Sequence, residues 1–174
     1  MERLLATPIS NFDILRKLKG RTRLMYYEDL NTIRDITEYL DKGSLIILTR
    51  SKPDFGHWTA IIKTPEGIEY FDSYGEMPER AKKGIKRSFL LSTNQYNNQL
   101  ANLLYKASLR YPINFNDHKL QKDSKNISTC GKHVIARILR RDLTTDQYNR
   151  WIRKLARKHR MTTDEVVCQI YEEI

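Results

Sequence analysis

The sequence predicts an α+β fold, a small central sheet flanked by helices, and three observations support it. Apolar residues recur at helical spacing through the last 45 residues. A continuous apolar run, SLIILT at 44–49, suits a buried strand. Two further strand-like segments flank Thr64-Pro65-Glu66-Gly67, whose Pro in second place and Gly in fourth suit a type I turn. No repeat, low-complexity tract or Pro/Gly-rich linker divides the chain, so residues 1–174 read as a single domain.

Taken in order, Asn11 to Lys19 predicts a short helix ended by Gly20. Tyr27 to Leu40 predicts a second, with Leu30, Ile33, Ile36 and Leu40 near helical spacing and Gly43 beyond its end. The strand at 44–49 follows, then a hairpin of His57–Lys63 and Ile68–Asp72. Residues 73–92 are polar and basic and read as a loop with one helical turn. Thr93 to Ser108 predicts a helix, and Pro112 to Phe115 a short strand. Cys130 to Arg141 carries Val134, Ile135, Ile138 and Leu139 on one helical face. Thr144 or Thr145 can cap a helix bearing Tyr148, Trp151, Ile152 and Leu155, and Thr162 or Thr163 can cap a last helix to about Glu173.

Composition limits the function classes. No apolar run approaches the roughly 18 residues of a membrane span, and the first residues turn polar too early for a secretory signal. Two cysteines 38 positions apart make no disulfide framework, and with four histidines they show no zinc spacing. A free thiol in a reducing compartment is the expectation. The net charge of +10 and pI of about 9.6 favour polyanionic partners. Between residues 132 and 160 there are ten Lys or Arg against two Asp or Glu. Arg150, Arg153, Lys154, Arg157 and Lys158 lie off the apolar face of one helix, as candidate phosphate contacts or a solvated flank.

The chemistry centres on Cys130. Its helix begins after Ser128-Thr129, both competent capping residues, and a thiol there feels the positive end of the helix dipole. Gly131 would leave room for a substrate backbone to approach the sulfur. If Thr64 and Gly67 pair across the turn, Thr59 faces Asp72 and His57 sits diagonally on the same face. Diagonal neighbours are about 7–8 Å apart at their backbones, within reach of an imidazole and a carboxylate. Asp72 would orient His57, His57 would serve as the base for Cys130, and Gln121 with the Cys130 N–H would receive an oxyanion. Each piece has a plain structural reading: a packed strand histidine, an aspartate starting a turn, a buried thiol. Their order is what raises the joint case. Cys168, on the inward face of the last helix, reads as core.

Gly56-His57-Trp58, Tyr70-Phe71-Asp72-Ser73-Tyr74-Gly75, Gln121 and Thr129-Cys130-Gly131 stand in the order His, Asp, Gln, Cys. Over roughly residues 44–142 this resembles the adenain-like cysteine proteases. That group includes the adenovirus maturation protease and relatives in virophages, Polinton-type elements and large DNA viruses, and shares its fold with ubiquitin-like-protein-specific proteases. The resemblance implies a papain-like fold in permuted order and peptide hydrolysis through a thioester. Cys130 would attack, His57 move the proton, Asp72 orient it and Gln121 bind the oxyanion. Trp58 would wall a tunnel that favours Gly or another small residue before the scissile bond. It further implies a monomeric enzyme of the virion or host cytoplasm, acting on capsid or other structural precursors, with no metal and with DNA as a candidate activator. A deconjugating protease for SUMO or ubiquitin-like proteins and a non-enzymatic nucleic-acid-binding protein are the alternatives.

Overall fold

The sheet has five strands in sequential order, β1 (Arg23–Tyr26), β2 (Ser44–Lys52), β3 (Phe55–Thr64), β4 (Gly67–Phe71) and β5 (Ile113–Phe115), in a computed structural model that describes residues 1–174. The outer pairs β1/β2 and β4/β5 are parallel and the inner pairs antiparallel, so the sheet is mixed. The helices are α1 (Glu2–Ala6), α2 (Asn11–Leu18), α3 (Arg87–Ser92), α4 (Gln99–Ser108), α5 (Cys130–Leu139), α6 (Thr145–His159) and α7 (Thr163–Glu173). The architecture is α+β, a small sheet with helices on both faces.

The residues of β2 explain why both faces are covered. Ile46 and Leu48 pack with Trp58, Ala60 and Ile62 of β3 against α2, α5, α6 and α7. Leu45 and Ile47 pack with Ile61 and Tyr70 on the opposite face, under α4 and the segment between β1 and β2. A strand buried on both sides needs apolar residues at successive positions, which Leu45 to Leu48 provide. The predicted hairpin register holds: Thr64 pairs with Gly67 and Ala60 with Phe71. Cys168 is fully buried, as expected.

Three predicted elements differ. Residues 27–40 are not one α-helix but two 3₁₀ turns, Tyr27–Thr32 and Ile36–Tyr39, with Ile33 extended between them. Tyr27, Leu30, Ile33 and Ile36 are buried at a spacing of three, the 3₁₀ period. Asp35 draws the Thr37 N–H at 2.9 Å, and Gln99 donates to the Leu30 carbonyl at 3.1 Å. Such side-chain bonds replace the i→i−4 ladder. The helix expected from Thr93 starts only at Gln99, because Asn94 is left-handed (φ 54°) and Gln95 is spent elsewhere. The buried Gln95 amide bonds both the N–H and the C=O of Arg50, as a short substitute strand beside β2. The stretch at 73–92 holds a 3₁₀ turn and α3 where mostly loop was expected. The sequence reading also passed over β1 and α1.

Candidate active site

His57 lies near the start of β3 and Asp72 directly after β4, brought together by the hairpin register. Gly56 makes this possible. A Cβ there would lie 2.1 Å from the Thr49 carbonyl oxygen, so β2 can approach only a glycine. Asp72 is buried, and its Oδ2 is 3.1 Å from His57 Nε2. Its Oδ1 accepts the Tyr74 N–H at 2.7 Å. One Asp72 oxygen thus starts the turn, and the other faces the imidazole. The Tyr74 ring stacks on the imidazole at 5.1 Å between centroids.

Nε2 faces Asp72 in a close ion contact outside hydrogen-bond alignment, so Nδ1 is the nitrogen left for the thiol. Cys130 opens α5, half-buried, beside His57. Burial alone would keep the imidazole neutral. The Asp72 carboxylate on one side and the Cys130 sulfur on the other outweigh it and raise the His57 pKa to about 10. Burial likewise pushes the thiol up, but the bond to His57, its charge, and the backbone N–H groups of Trp58 and Gly131 lower it on balance. Opposed shifts of this kind favour a thiolate–imidazolium pair. Thr129 does not cap α5 with its side chain, contrary to expectation. Its hydroxyl turns to Asp164 instead, at 2.5 Å.

Gln121 is buried on the loop before α5. The Ser73 hydroxyl donates to its Oε1 at 2.7 Å, and its own N–H donates to the Ser73 carbonyl at 2.9 Å. Ser73 thus holds the amide by its oxygen, and no protein group bonds Nε2. His57, Asp72, Gln121, Cys130, Trp58 and Gly131 all line one cleft of about 860 Å³. An imidazole held by a carboxylate, a lowered thiol and an uncommitted amide at one cleft can ionise a nucleophile and receive a negative oxygen.

Gly131 is also needed for packing. A Cβ on Gly131 would meet Ile9 Cγ1 at 2.6 Å and Trp58 Cδ1 at 3.1 Å. The Cβ direction is filled by the N-terminal segment, so the glycine is required for that packing while Gly131 still lines the cleft. Trp58 is buried and donates its Nε1–H to the Ile9 carbonyl at 3.3 Å, so it anchors that segment as well as walling the cleft. Lys132 donates to the Leu4 and Thr7 carbonyls at 2.8 and 2.7 Å. The sequence pattern assigns no role to Ile9, Lys132 or Asp164, and places Ser73 and Tyr74 only within the motif around Asp72. Only Tyr74 and Ser73 carried a signal, since they adjoin Asp72.

Arg150, Arg153, Lys154, Arg157 and Lys158 form one exposed stripe along α6, and none is in an ion pair. No group of His, Cys, Asp or Glu is arranged to hold a metal ion, and no helix is long and apolar enough to cross a membrane.

No family model matches the chain. It is 31% identical over 166 residues to the uncharacterized protein V9 of Sputnik virophage, across 93% of each chain. The chain belongs to the family of that virophage protein.

Proposed function

We propose that this protein is a cysteine endopeptidase of the adenain-like type, with the papain-like arrangement in permuted order. It would cut capsid or other structural precursors after Gly or another small residue. The observation that carries the reading is the convergence of Cys130, an Asp72-held His57 and the Ser73-aimed Gln121 amide on one cleft. The Cys130 thiolate would attack the peptide carbonyl carbon, and the oxygen, now negative, would be met by Gln121 Nε2 and the Cys130 N–H. His57 would give its proton to the leaving amine, and a thioester would remain. His57 would then take a proton from water, whose oxygen attacks the thioester and frees the acid and the thiolate. The virophage relationship supports a viral setting, and the cationic stripe on α6 supports DNA as partner or activator.

Incubation with a Gly-containing capsid precursor tests this. Wild-type protein should cleave it, and Cys130→Ala should lower the rate by at least about 10³-fold, as loss of a nucleophile does. Cleavage that survives in Cys130→Ala would remove Cys130 from the role.

A further inference from the structure

Asp164, in the first turn of α7, is buried and receives contacts from both ends of the loop that joins Gln121 to Cys130. Its Oδ1 accepts the hydroxyl of Thr129, the residue before Cys130, at 2.5 Å. Its Oδ2 accepts the N–H of Lys122, the residue after Gln121, at 2.9 Å. On the other side of Gln121, the Leu120 carbonyl accepts the hydroxyl of Thr163, the neighbour of Asp164. His133 of α5 brings Nε2 to within 3.0 Å of Oδ1, and its Nδ1 has no partner, so Asp164 is the only polar group that orients it.

We propose that Asp164 is a positioning residue for the reaction: it sets the separation between the Gln121 amide and the Cys130 sulfur. This rests on the protease reading given above. The two groups belong to different stretches of backbone, Gln121 on a loop and Cys130 on a helix. An oxyanion donor helps only if it stands where charge develops relative to the attacking sulfur. Ser73 fixes which way the Gln121 amide points, and Asp164 fixes where the loop lies relative to α5. A carboxylate suits this task because it accepts several donors at once, and charge-assisted bonds are short and directional. Burial opposes the charge on Asp164, but its bonds with His133, Thr129 and Lys122 keep its pKa below the usual carboxylate value. An amide in its place has one acceptor oxygen for these donors, so one attachment must loosen.

Two same-shaped substitutions separate the arms, with folding checked by circular dichroism and urea unfolding. Asp164→Asn should lower kcat on a Gly-containing peptide about tenfold or more, since misplacement of about 1 Å can cost 10²-fold, while KM stays within about twofold. In a Gln121→Ala background the same change should cost under about threefold, because the group it positions is gone. Thr129→Val removes the attachment nearest the thiol. It should slow iodoacetamide alkylation of Cys130 at pH 6.5 about threefold or more, a readout that needs no oxyanion donor and no proteolysis. Wild-type kcat in folded Asp164→Asn would overturn the proposal. So would an equal loss with and without Gln121, or failure of both variants to fold. If only Thr129→Val folds, wild-type alkylation in it overturns the proposal and slowed alkylation supports it. If wild-type protein cuts no precursor yet Thr129→Val slows alkylation, the attachment to Cys130 stands and the protease reading falls.

Discussion

The imidazole of His57 faces the Asp72 carboxylate on one side and Cys130 on the other, and this division governs how the thiol should titrate. The Cys130 pKa is lowered and that of His57 is raised to about 10, so the ion pair exists between the two values. The thiolate is lost as pH falls through the Cys130 pKa, and the imidazolium is lost as pH rises through the His57 pKa. Alkylation of wild-type Cys130 by iodoacetamide should therefore persist below the ordinary thiol range. In His57→Ala its midpoint should move up to about 8.5 or higher, since burial then acts unopposed by the imidazole. Equal midpoints in the two proteins would mean that His57 does not set the state of the thiol. At this scale Cys130, His57 and Asp72 could be singled out from sequence because turn arithmetic alone puts two of them together. Asp164 could not, because its partners are 31 to 42 positions away with no pattern to connect them.

Helix α5 carries Cys130 at one end and is held to the sheet at the other by a fully buried ion pair. Arg137 Nε donates to Glu69 Oε2 of β4 at 2.6 Å, and the same guanidinium donates to the Arg140 and Leu143 carbonyls. Removing one member leaves an uncompensated buried charge, whereas replacing both with apolar residues of similar volume is often neutral. Glu69→Ala should thus destabilise the fold by about 3–5 kcal/mol, and the pair Glu69→Leu with Arg137→Met should recover most of that. Urea unfolding of the two variants measures both. The α-helices α2, α5, α6 and α7 were legible because an amphipathic period with a cap suffices to describe them. The segment 27–40 was not, since a period of three and one of 3.6 differ little over four apolar residues, and the deciding bonds come from Asp35 and the distant Gln99.

Across the whole molecule, the cleft and the cationic stripe of α6 are separate features of one strongly basic protein. Five exposed cations on one helix, none in an ion pair, would make a salt-sensitive contact for phosphates if a polyanion docks there. If all five engage duplex DNA, the plot of log affinity against log salt should be steeper by about 4.5 than in a variant with all five changed to Gln. Fluorescence anisotropy over a salt series gives both slopes. An unchanged slope would assign α6 to solvent and send the search for a polyanion site to another face.

The sequence by itself determined the class of fold, the apolar strand run, the hairpin register and the order His57, Asp72, Gln121, Cys130. Each of these follows from local rules: side-chain period, turn chemistry and counting along a ladder. The tertiary structure alone decided that Gly131 is covered by Ile9, that Gln95 substitutes for a strand beside β2, and that Asp164 joins the two ends of the Gln121–Cys130 loop. These depend on which distant groups compete for a buried hydrogen-bonding position or a cavity the size of a methyl group. That competition is settled only when the elements pack, because only then does an unpaired polar group or an overlapping atom carry its full cost.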